Sequence, residues 1–335
     1  MATLDSSVAV IRIAVRRALH ELVPEPDPTQ PPLALVACSG GADSLALAAA
    51  AGFVAPRIGW RAGLISIDHG LQAGSGERAR AVAAWGQRIG LAPALAVPVT
   101  VAGRPGGPEA AARAARYEAL AATARHQGAV AVLLGHTRDD QAETVLLALA
   151  RGSGPRGLAG MPARRRAGEL TWLRPLLEIR RSQTEAACRA LGLTPWQDPH
   201  NTDATYARAR VRSSVLPALV AALGDRVVDN LARSARLIAA DTAVLDHLTA
   251  EALAAARRPG DRLAVESLRG LPDGLRTRVL HAWARELGAP GSALSHRHVA
   301  ALDALVTDWH GQGPTHLPGG ILVERRADLL ARVPH

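Results

Sequence analysis

The residues best suited to chemistry lie in one hexapeptide, Ser-Gly-Gly-Ala-Asp-Ser at positions 39–44. A short apolar run at 33–38 predicts a strand before it, and small residues from position 44 predict a helix after it. Two glycines let the backbone turn so that successive N–H groups and the helix N-terminus converge on an anion, most simply a pyrophosphate. A tight turn with a serine cap is the alternative. The candidate phosphate-binding residues are Ser39, Gly40, Gly41, Ala42, Asp43 and Ser44.

Asp43 is the unexpected member of this turn, because a carboxylate by itself would repel phosphate. Its presence is explained if it helps to hold a Mg²⁺ ion that bridges the phosphates. We therefore expect Asp43 to be both a catalytic residue and a metal ligand.

A second cluster follows a strand predicted at 129–134. His136 lies just past the strand end, and Asp140 and Glu143 follow at i+4 and i+7, on one face of the next helix. These three side chains would suit a metal ion, and the two carboxylates would equally suit the ammonium group of an amine substrate. Helix capping is the alternative, with Asp139 or Asp140 at the N-cap and Glu143 completing a capping box.

Every basic residue in the chain is an arginine. The 335 residues contain no lysine, and 39 arginines against 30 acidic residues give a net charge of +9. A Walker A loop and Schiff-base or pyridoxal chemistry both need a lysine side chain, so both are excluded. The excess charge indicates a polyanionic partner or substrate, and the length predicts more than one domain.

Arginines are concentrated at 151–181, where eight of them against two glutamates supply +6 of the net charge. We interpret this Gly- and Pro-rich stretch as a mobile basic insertion that contacts RNA phosphates, with a solvated loop as the alternative. Three more arginines alternate at 208, 210 and 212, and Trp172 and Trp196 would either stack on a flipped base or anchor loops. The candidate RNA-binding residues are Arg164, Arg165, Arg166, Arg210 and Arg212.

Strands and helices alternate through the first half of the chain. The predicted strands are 33–38, 63–67, 94–99 and 129–134, and the predicted helices are 77–90, 108–127 and 139–151. Segments of this length predict an α/β fold with a doubly wound, mainly parallel sheet, whose ligands lie beyond the strand C-termini.

The region from position 215 is rich in Ala, Leu and Arg, with helical periodicity at 227–256, 274–287 and 295–307, and a weak hairpin pattern closes the chain at 315–333. We therefore predict three parts. They are an N-terminal helix and linker (1–32), a catalytic α/β domain (33–216) that contains the basic insertion, and a smaller, mainly helical, RNA-contacting domain (217–335).

The hexapeptide resembles the PP-loop of the N-type ATP pyrophosphatases. Motifs at 68–71 (Asp-His-Gly-Leu), 109–117 (Glu-Ala-Ala-Ala-Arg-Ala-Ala-Arg-Tyr), 135–144 (Gly-His-Thr-Arg-Asp-Asp-Gln-Ala-Glu-Thr) and 196–203 (Trp-Gln-Asp-Pro-His-Asn-Thr-Asp) follow it. Their order and spacing are similar to those of tRNA(Ile)-lysidine synthetases. The resemblance extends through Tyr206 and the alternating arginines to Pro217, and departs from the family pattern at Ala209, where an asparagine is expected.

The resemblance implies an enzyme that uses ATP, Mg²⁺ and L-lysine to convert the wobble cytidine of an isoleucine tRNA with a CAU anticodon to lysidine. The C2 carbonyl oxygen of the cytosine is first adenylated, and the lysine ε-amine then attacks C2 and AMP leaves. Arg113 and Arg208 would offset charge at phosphorus, and His136 or Asp140 would take the amine proton. The implied catalytic residues are Asp43, Arg113, His136, Asp140, Glu143 and Arg208.

Two other functions are compatible with parts of this sequence pattern. A PP-loop tRNA thiolase needs sulfur delivery, yet Cys38 and Cys188 form no C-x-x-C pair. A non-catalytic, nucleotide-sensing RNA-binding protein would not require Asp43, His136, Asp140 and Glu143 together.

The cellular setting expected from the sequence is the cytoplasm. Two cysteines are too few for a disulfide framework, no export signal is visible, and the apolar stretches are shorter than the roughly 20 residues that span a bilayer. We expect no membrane partner, and the sequence leads to no prediction of oligomeric state.

Overall fold

The computed structural model describes residues 5–68, 70, 74–100, 108–196 and 205–334. The chain divides into two compact units, Met1–Leu237 and Ile238–His335. Parts of the motifs, at 69, 71 and 197–203, and the side chain of Glu109 lie outside the described residues. Within the described residues, no helix is both long and apolar enough to cross a membrane. The domain boundaries expected at 33 and 217 stay a prediction.

A six-stranded sheet lies at the centre of the first unit, in the order β3-β2-β1-β4-β6-β5 among the described residues. All neighbouring strands are parallel except β5, which runs antiparallel to β6 at the edge. The predicted doubly wound, mainly parallel α/β fold is confirmed. The strands are β1 (Leu33–Ala37), β2 (Arg61–Asp68), β3 (Ala94–Pro98), β4 (Ala129–Leu134), β5 (Arg164–Ala167) and β6 (Leu170–Leu173).

Helices cover both faces of this sheet. Its helices are α1 (Ser6–Leu22), α2 (Ala42–Val54), α3 (Ser75–Arg88), α4 (Pro108–His126), α5 (Arg138–Ala150), α6 (Pro155–Leu158) and α7 (Arg181–Ala190). Strand residues such as Val36 and Leu133 pack with α1, α2 and α7, whereas their neighbours Leu35 and Val132 pack with α4 on the opposite face. This alternation explains why the central strands are apolar at successive positions.

The strand order reverses direction between β1 and β4. From β1 the chain adds β2 and then β3 on one side, and it returns to add β4 on the other side of β1. The carboxyl ends of β1 and β4 therefore flank the crevice where open α/β sheets bind their ligands. The hexapeptide follows β1, and His136 follows β4, so the fold brings both motifs to this crevice.

The basic segment 151–181 was predicted to be a mobile insertion that interrupts the alternation of strands and helices, but it contains regular elements of the main domain. It contains α6 and the β5-β6 hairpin, and β6 pairs in parallel with β4 as a buried strand of the main sheet. The prediction was wrong here because β6 is four residues long and lies among Gly, Pro and Arg, so its apolar run was too short to detect.

A helical segment after position 206 packs on α5 within the first unit. It comprises α8 (Ala207–Arg210), a π-helical turn (Val211–Val215), α9 (Leu216–Leu223) and the start of α10 (Val227–Ala256). The contact is a small apolar cluster that includes Ala142, Val211 and Leu216. It fixes the position of the arginines in α8 and the π turn beside α5.

The second unit contains helices and an antiparallel sheet. Leu280, Trp283 and Leu302 are fully buried in its core. The predicted helices and the terminal hairpin around Gly319-Gly320 are confirmed, but the five-stranded sheet was not predicted, because its strands are only two to six residues long. Its elements are β7 (Arg257–Arg258), β8 (Arg262–Ala264), α11 (Val265–Arg269), α12 (Asp273–Glu286), α13 (His296–Thr307), β9 (Thr315–Leu317), β10 (Ile321–Arg326) and β11 (Leu329–Arg332).

Candidate active site

The turn after β1 has the geometry of an anion-binding loop. Gly40 has a φ of +87°, and a Cβ there would lie 3.1 Å from Cγ2 of Val82, so glycine is required. α2 begins after Gly41, which provides no side-chain cap, so the first N–H groups of the helix are left for an external anion. Ser44 Oγ accepts a hydrogen bond from the N–H of Ser39 and donates to the carbonyl of Gly41, which fixes the loop.

The end of β4 packs directly against this loop. A Cβ at Gly135 would lie 3.2 Å from the carbonyl carbon and oxygen of Asp43 and from the nitrogen of Ser44. The backbone after β4 therefore lies against the backbone of the first turn of α2. Any side chain at position 135 would push the first turn of α2 out of place.

Asp43 lies in that first turn and is largely buried. The hydroxyl of Thr184 in α7 donates to its Oδ1, and Arg181 Nε lies 3.6 Å from its Oδ2. Burial raises the pKa of Asp43 to about 6, although Arg181 and Thr184 act in the opposite direction. The carboxylate is thus incompletely compensated, and a further cation beside it would stabilise its charged form.

The start of α5 carries a capping box, but its residues are not the expected ones. Thr137 is the N-cap, and Oδ2 of Asp140 accepts hydrogen bonds from the N–H of Thr137 at 2.8 Å and from its hydroxyl at 2.9 Å. Asp139 and Glu143 take no part in it. Asp139 instead accepts a hydrogen bond from the backbone N–H of Arg181 at 2.8 Å, which ties the start of α7 to α5.

Three arginines surround Asp140 and Glu143. Arg208 Nε lies 2.9 Å from Glu143 Oε2, Arg212 Nε lies 2.7 Å from Glu143 Oε1, and Arg181 Nη2 lies 3.0 Å from Asp140 Oδ1. The side chain of Glu143 is completely buried. An ammonium group that binds to either carboxylate therefore has to replace or join a guanidinium group that is already there.

The network is balanced in charge. Together with Asp43, the two carboxylates of α5 give three negative charges, which meet the three guanidinium groups of the surrounding arginines. Burial by itself would raise the pKa of Asp140, but Arg181 and Arg208 hold that pKa below its ordinary value. The site is therefore a polar cluster with little net charge, placed beside the open anion-binding loop.

The arginines at 208, 210 and 212 point in different directions, because the segment that carries them is helical. Because the segment is helical, Arg208 and Arg212 lie on one face and bind Glu143, whereas Arg210 is exposed and donates to the carbonyl of Thr205 at 2.8 Å. Arg208, expected to be catalytic, lies in the network. Arg212, expected to bind tRNA, lies in it as well, and Arg210 does not.

Arg181 and Thr184 are the functional candidates that sequence reasoning missed. Arg181 joins Asp43 to the carboxylates of α5, and Thr184 binds Asp43 directly. Arg181 was counted among the basic residues expected to face RNA, and a lone threonine carries no signal. The pairs Arg180-Arg181 and Thr184-Glu185 are four residues apart, which is typical of the first turns of a helix. Nothing in the sequence, however, links this helix, α7, to the hexapeptide.

His136 lies between the end of β4 and the start of α5 and is held neutral. Its Nδ1 is buried without a hydrogen-bond partner among the described residues. Burial lowers the pKa of His136 to about 3, and the opposing effect of Asp140 is smaller. A neutral imidazole with a vacant nitrogen can accept a proton, whereas both oxygens of Asp140 are already engaged.

The remaining candidates lie outside the carboxylate network. Arg113, on α4, is exposed, and its guanidinium carbon lies 5.0 Å from the centre of the Tyr117 ring. The three arginines of β5 are exposed at the sheet edge. In the described residues, the structure does not bring Arg164, Arg165 or Arg166 into contact with the network.

The two tryptophans have different environments. Trp172 is 2% exposed and packs against Tyr117, so it anchors β6 and is not available to a base. Trp196 donates its backbone N–H to the carbonyl of Gly40, and the guanidinium carbon of Arg78 lies 3.3 Å above its ring. Trp196 therefore supports the loop and is covered on one face by a cation.

Comparison with known proteins agrees with this arrangement. Residues 12–219 match a PP-loop domain model, and residues 263–330 match a model of the TilS substrate-binding domain. The chain is 65% identical over 333 residues to the tRNA(Ile)-lysidine synthase of Salinispora tropica, covering 99% of this chain and 98% of that protein. The corresponding protein of Streptomyces coelicolor is 50% identical, with 97% of each chain covered. The chain belongs to the tRNA(Ile)-lysidine synthase family.

As a lysidine synthase, the chain is an ATP-dependent ligase of the PP-loop type. Among solved structures, it resembles the U34-tRNA thiolase NcsA from Methanococcus maripaludis, with a TM-score of 0.57, 17% identity, and coverage of 69% of this chain and 80% of that one. At this identity the likeness shows the fold alone. The identity of 50% and more to lysidine synthases therefore decides against the thiolase alternative.

Proposed function

We propose that this lysidine synthase joins L-lysine to C2 of the wobble cytidine of an isoleucine tRNA with a CAU anticodon, releasing AMP and pyrophosphate. The observation that carries the proposal is the convergence of the anion-binding loop with the Asp140–Glu143 network at the switch point of the sheet. One motif suits a nucleotide triphosphate, and the other contains the charged groups that an amine transfer needs.

Mg²⁺ fits the environment of Asp43. The described residues contain no cluster of three or more acidic, His or Cys side chains that could hold a metal by themselves. Mg²⁺ usually binds through one or two carboxylates and the substrate phosphates, which is the donor set available here. Asp43 would hold the ion, and the ion would neutralise charge on the phosphates. The incomplete compensation of the buried Asp43 carboxylate supports this assignment.

In the first step, the cytosine O2 attacks the α-phosphorus of ATP and pyrophosphate leaves. The residues of the hexapeptide, Ser39 to Ser44, would bind the β- and γ-phosphates at the N-terminus of α2. Arg113 and Arg208 would offset the charge that develops at phosphorus. The network contributes by holding the Arg208 guanidinium against Glu143, so that little reorganisation is needed during reaction.

In the second step, the lysine ε-amine attacks C2, and the C2–O bond to AMP breaks. The amine must first lose a proton. His136 is one candidate acceptor, because its Nδ1 has no hydrogen-bond partner among the described residues, although its low pKa makes it a weak base, and Asp140 is the other. Asp140 keeps a small exposed area, whereas Glu143 is completely buried, so Asp140 is the carboxylate that an ammonium group would approach.

The tRNA would be held mainly by exposed arginines. Arg164, Arg165 and Arg166 on the edge strand and Arg210 on α8 present charge to solvent, where an RNA backbone can reach them. Arg212, whose guanidinium is bound to Glu143, would act on the tRNA only at the edge of the active site.

The test is incubation of the full chain with ATP, Mg²⁺, L-lysine and an isoleucine tRNA transcript with a CAU anticodon, followed by mass spectrometry of the digested nucleosides. We expect one cytidine to gain the mass of lysine less one water. Omission of lysine should leave the tRNA without that adduct. A cytidine that stays unmodified under full conditions, or one that gains sulfur, would contradict the proposal.

A further inference from the structure

A second cluster of polar side chains lies near the carboxyl ends of the strands, on the face of the sheet opposite α2. It consists of Arg116 and Tyr117 in α4 and of Arg174, which directly follows β6. Trp172 and Arg174 are two residues apart and so point to the same face, where Trp172 packs 5.0 Å from the ring of Tyr117. We refer to Arg116, Tyr117 and Arg174 as the α4 cluster.

The polar groups of the α4 cluster are buried and partly unpaired. Within the described residues, Nε of Arg116, Nε of Arg174 and the hydroxyl of Tyr117 are shielded from solvent and have no hydrogen-bond partner. Arg174 is 6% exposed, and the bond from its Nη1 to the carbonyl of Pro162, at 2.8 Å, engages one edge of the guanidinium. This differs from the partly exposed guanidinium groups of Arg181, Arg208 and Arg212, each of which meets a carboxylate.

The local potential is strongly positive. Burial would raise the pKa of Tyr117, but the charges of Arg113, Arg116 and Arg174 outweigh it and hold that pKa below its ordinary value. Buried cations without counter-charges are costly, so this arrangement is explained if a ligand supplies the negative charge. Two guanidinium groups and a phenol hydroxyl are the donors that a planar oxyanion such as a carboxylate accepts.

We propose that the α4 cluster is a subsite for the α-carboxylate of the lysine substrate. The inference rests on the proposed function, because only the ligation of lysine brings a free amino-acid carboxylate to this edge of the sheet. It gives the two ends of the substrate separate partners: the α-carboxylate binds to Arg116, Arg174 and Tyr117, and the ε-amine lies toward His136 and Asp140. Arg174 directly follows β6, and His136 lies two residues beyond the end of the neighbouring strand β4, whose Leu133 is paired with Leu173 of β6, so the two places are adjacent.

The other anions of the reaction fit this place less well. The β- and γ-phosphates of ATP have their own donors at the start of α2, and α2 packs on the opposite face of the sheet from α4. The backbone of a tRNA is a bulky polyanion that meets exposed arginines, whereas Nε of Arg116 and of Arg174 are inaccessible to solvent. A small carboxylate is the anion that can approach the partly exposed side chains of Arg116 and Tyr117 without the room that a tRNA backbone needs.

The experiment compares L-lysine with L-lysinamide, which differs only in lacking the carboxylate charge. The variants are Tyr117→Phe, which removes one hydroxyl and keeps the buried ring, and Arg174→Gln. Arg125→Gln is the matched control, because Arg125 is an exposed arginine in the last turn of the same helix. For each protein, kcat/KM is measured for both amines, together with the KM for ATP and the salt dependence of tRNA binding.

We expect the unaltered chain to prefer L-lysine over L-lysinamide by roughly 10- to 100-fold, the range for loss of a charge-assisted hydrogen bond. The preference should fall several-fold in Tyr117→Phe and approach unity in Arg174→Gln, with an unchanged KM for ATP, whereas Arg125→Gln should behave like the unaltered chain. The inference would be overturned if both variants kept the preference of the unaltered chain for L-lysine. It would also be overturned if they showed a raised KM for ATP, or a lower salt dependence of tRNA binding, in place of the effect on lysine. Failure of the proposed function is distinct from all of these, because the unaltered chain would then form no lysidine with L-lysine.

Discussion

At the scale of single residues, Asp43 connects the nucleotide loop to the rest of the site. We expect Asp43→Asn to lower tRNA-dependent pyrophosphate release by at least about 100-fold, because loss of the charge removes the expected Mg²⁺ ligand. Pyrophosphate release and thermal unfolding are the two measurements. Thr184→Val is the matched control, since it removes the hydrogen bond to Asp43 and leaves the carboxylate, and its loss should be much smaller. Turnover of Asp43→Asn near that of the unaltered chain would contradict the PP-loop role.

The two carboxylates of α5 should respond differently to loss of charge. Asp140→Asn should slow lysine transfer more than adenylation, so that adenylated tRNA accumulates, because Asp140 is the carboxylate that the amine can approach. Glu143→Gln should slow both steps, because Arg208 and Arg212 lose their shared charged partner, and should also cost about 3–5 kcal/mol of stability. Rapid quench with labelled ATP and labelled lysine separates the steps. Equal loss of both steps in Asp140→Asn would remove the amine assignment.

The lowered pKa of His136 predicts how the free energy of unfolding depends on pH. Its pKa is about 3 in the folded chain against an ordinary value of 6.5, so between these values the unfolded chain binds more protons at this residue. The free energy of unfolding should therefore rise with pH across this window, with a slope of at most about 1.4 kcal/mol per pH unit from this group. Denaturant titrations of His136→Gln at pH 4.5 to 6.5 should give a shallower slope than the unaltered chain, and the raised pKa of Asp43, which also falls in this window, affects both proteins alike. Identical slopes would show that His136 has the same pKa in the folded and the unfolded chain, which would contradict its burial as a neutral group.

At the scale of elements, the edge strand β5 distributes its arginines over two faces. Arg165 is paired with Trp172 and shares its face, so Arg164 and Arg166 lie together on the other face. The double variant Arg164→Ala/Arg166→Ala should lower the log-log salt slope of tRNA binding by roughly 1.5, and Arg165→Ala by about half of that. Arg17→Ala, at an exposed position of α1, is the control. If the salt slope of tRNA binding is unchanged in both β5 variants, as it should be in the control, β5 is a solvated strand that does not contact the tRNA.

At the scale of the whole molecule, the proposed ATP site belongs to the first unit, because the hexapeptide, His136 and the α5 network all lie before Leu237. The second unit has its own core of apolar helices and strands. Since a ligand stabilises the state that binds it, ATP with Mg²⁺ should slow amide hydrogen exchange in β1, β4 and the start of α2. Exchange in β10 and α12 should change much less. Equal protection of both units would show that the nucleotide also acts on the second unit.

The sequence by itself determined the elements that carry strong periodicity or a motif. The bounds of β4 and α10 agree with the predicted ones, because apolar runs and helical spacing are local properties of the chain. The same is true of the loop at 39–44, where two glycines between a strand and a helix permit few conformations. The family and its reaction were also available from motif order, since each motif keeps its residues within a short segment.

The tertiary structure decided the partners. Arg181 lies far along the chain from Asp43, and Arg208 and Arg212 from Glu143, so no local pattern could show that these groups meet. The packing of α7 and of the π turn against the sheet and α5 makes those contacts, and it turns two carboxylates that seemed free for an amine into a balanced ionic network. Folding likewise buried Arg174, which looked like one more surface charge, because the short strand before it pairs inside the sheet. Local sequence fixes which groups are present, whereas long-range packing sets their solvation and neighbours, and those two factors control their chemistry.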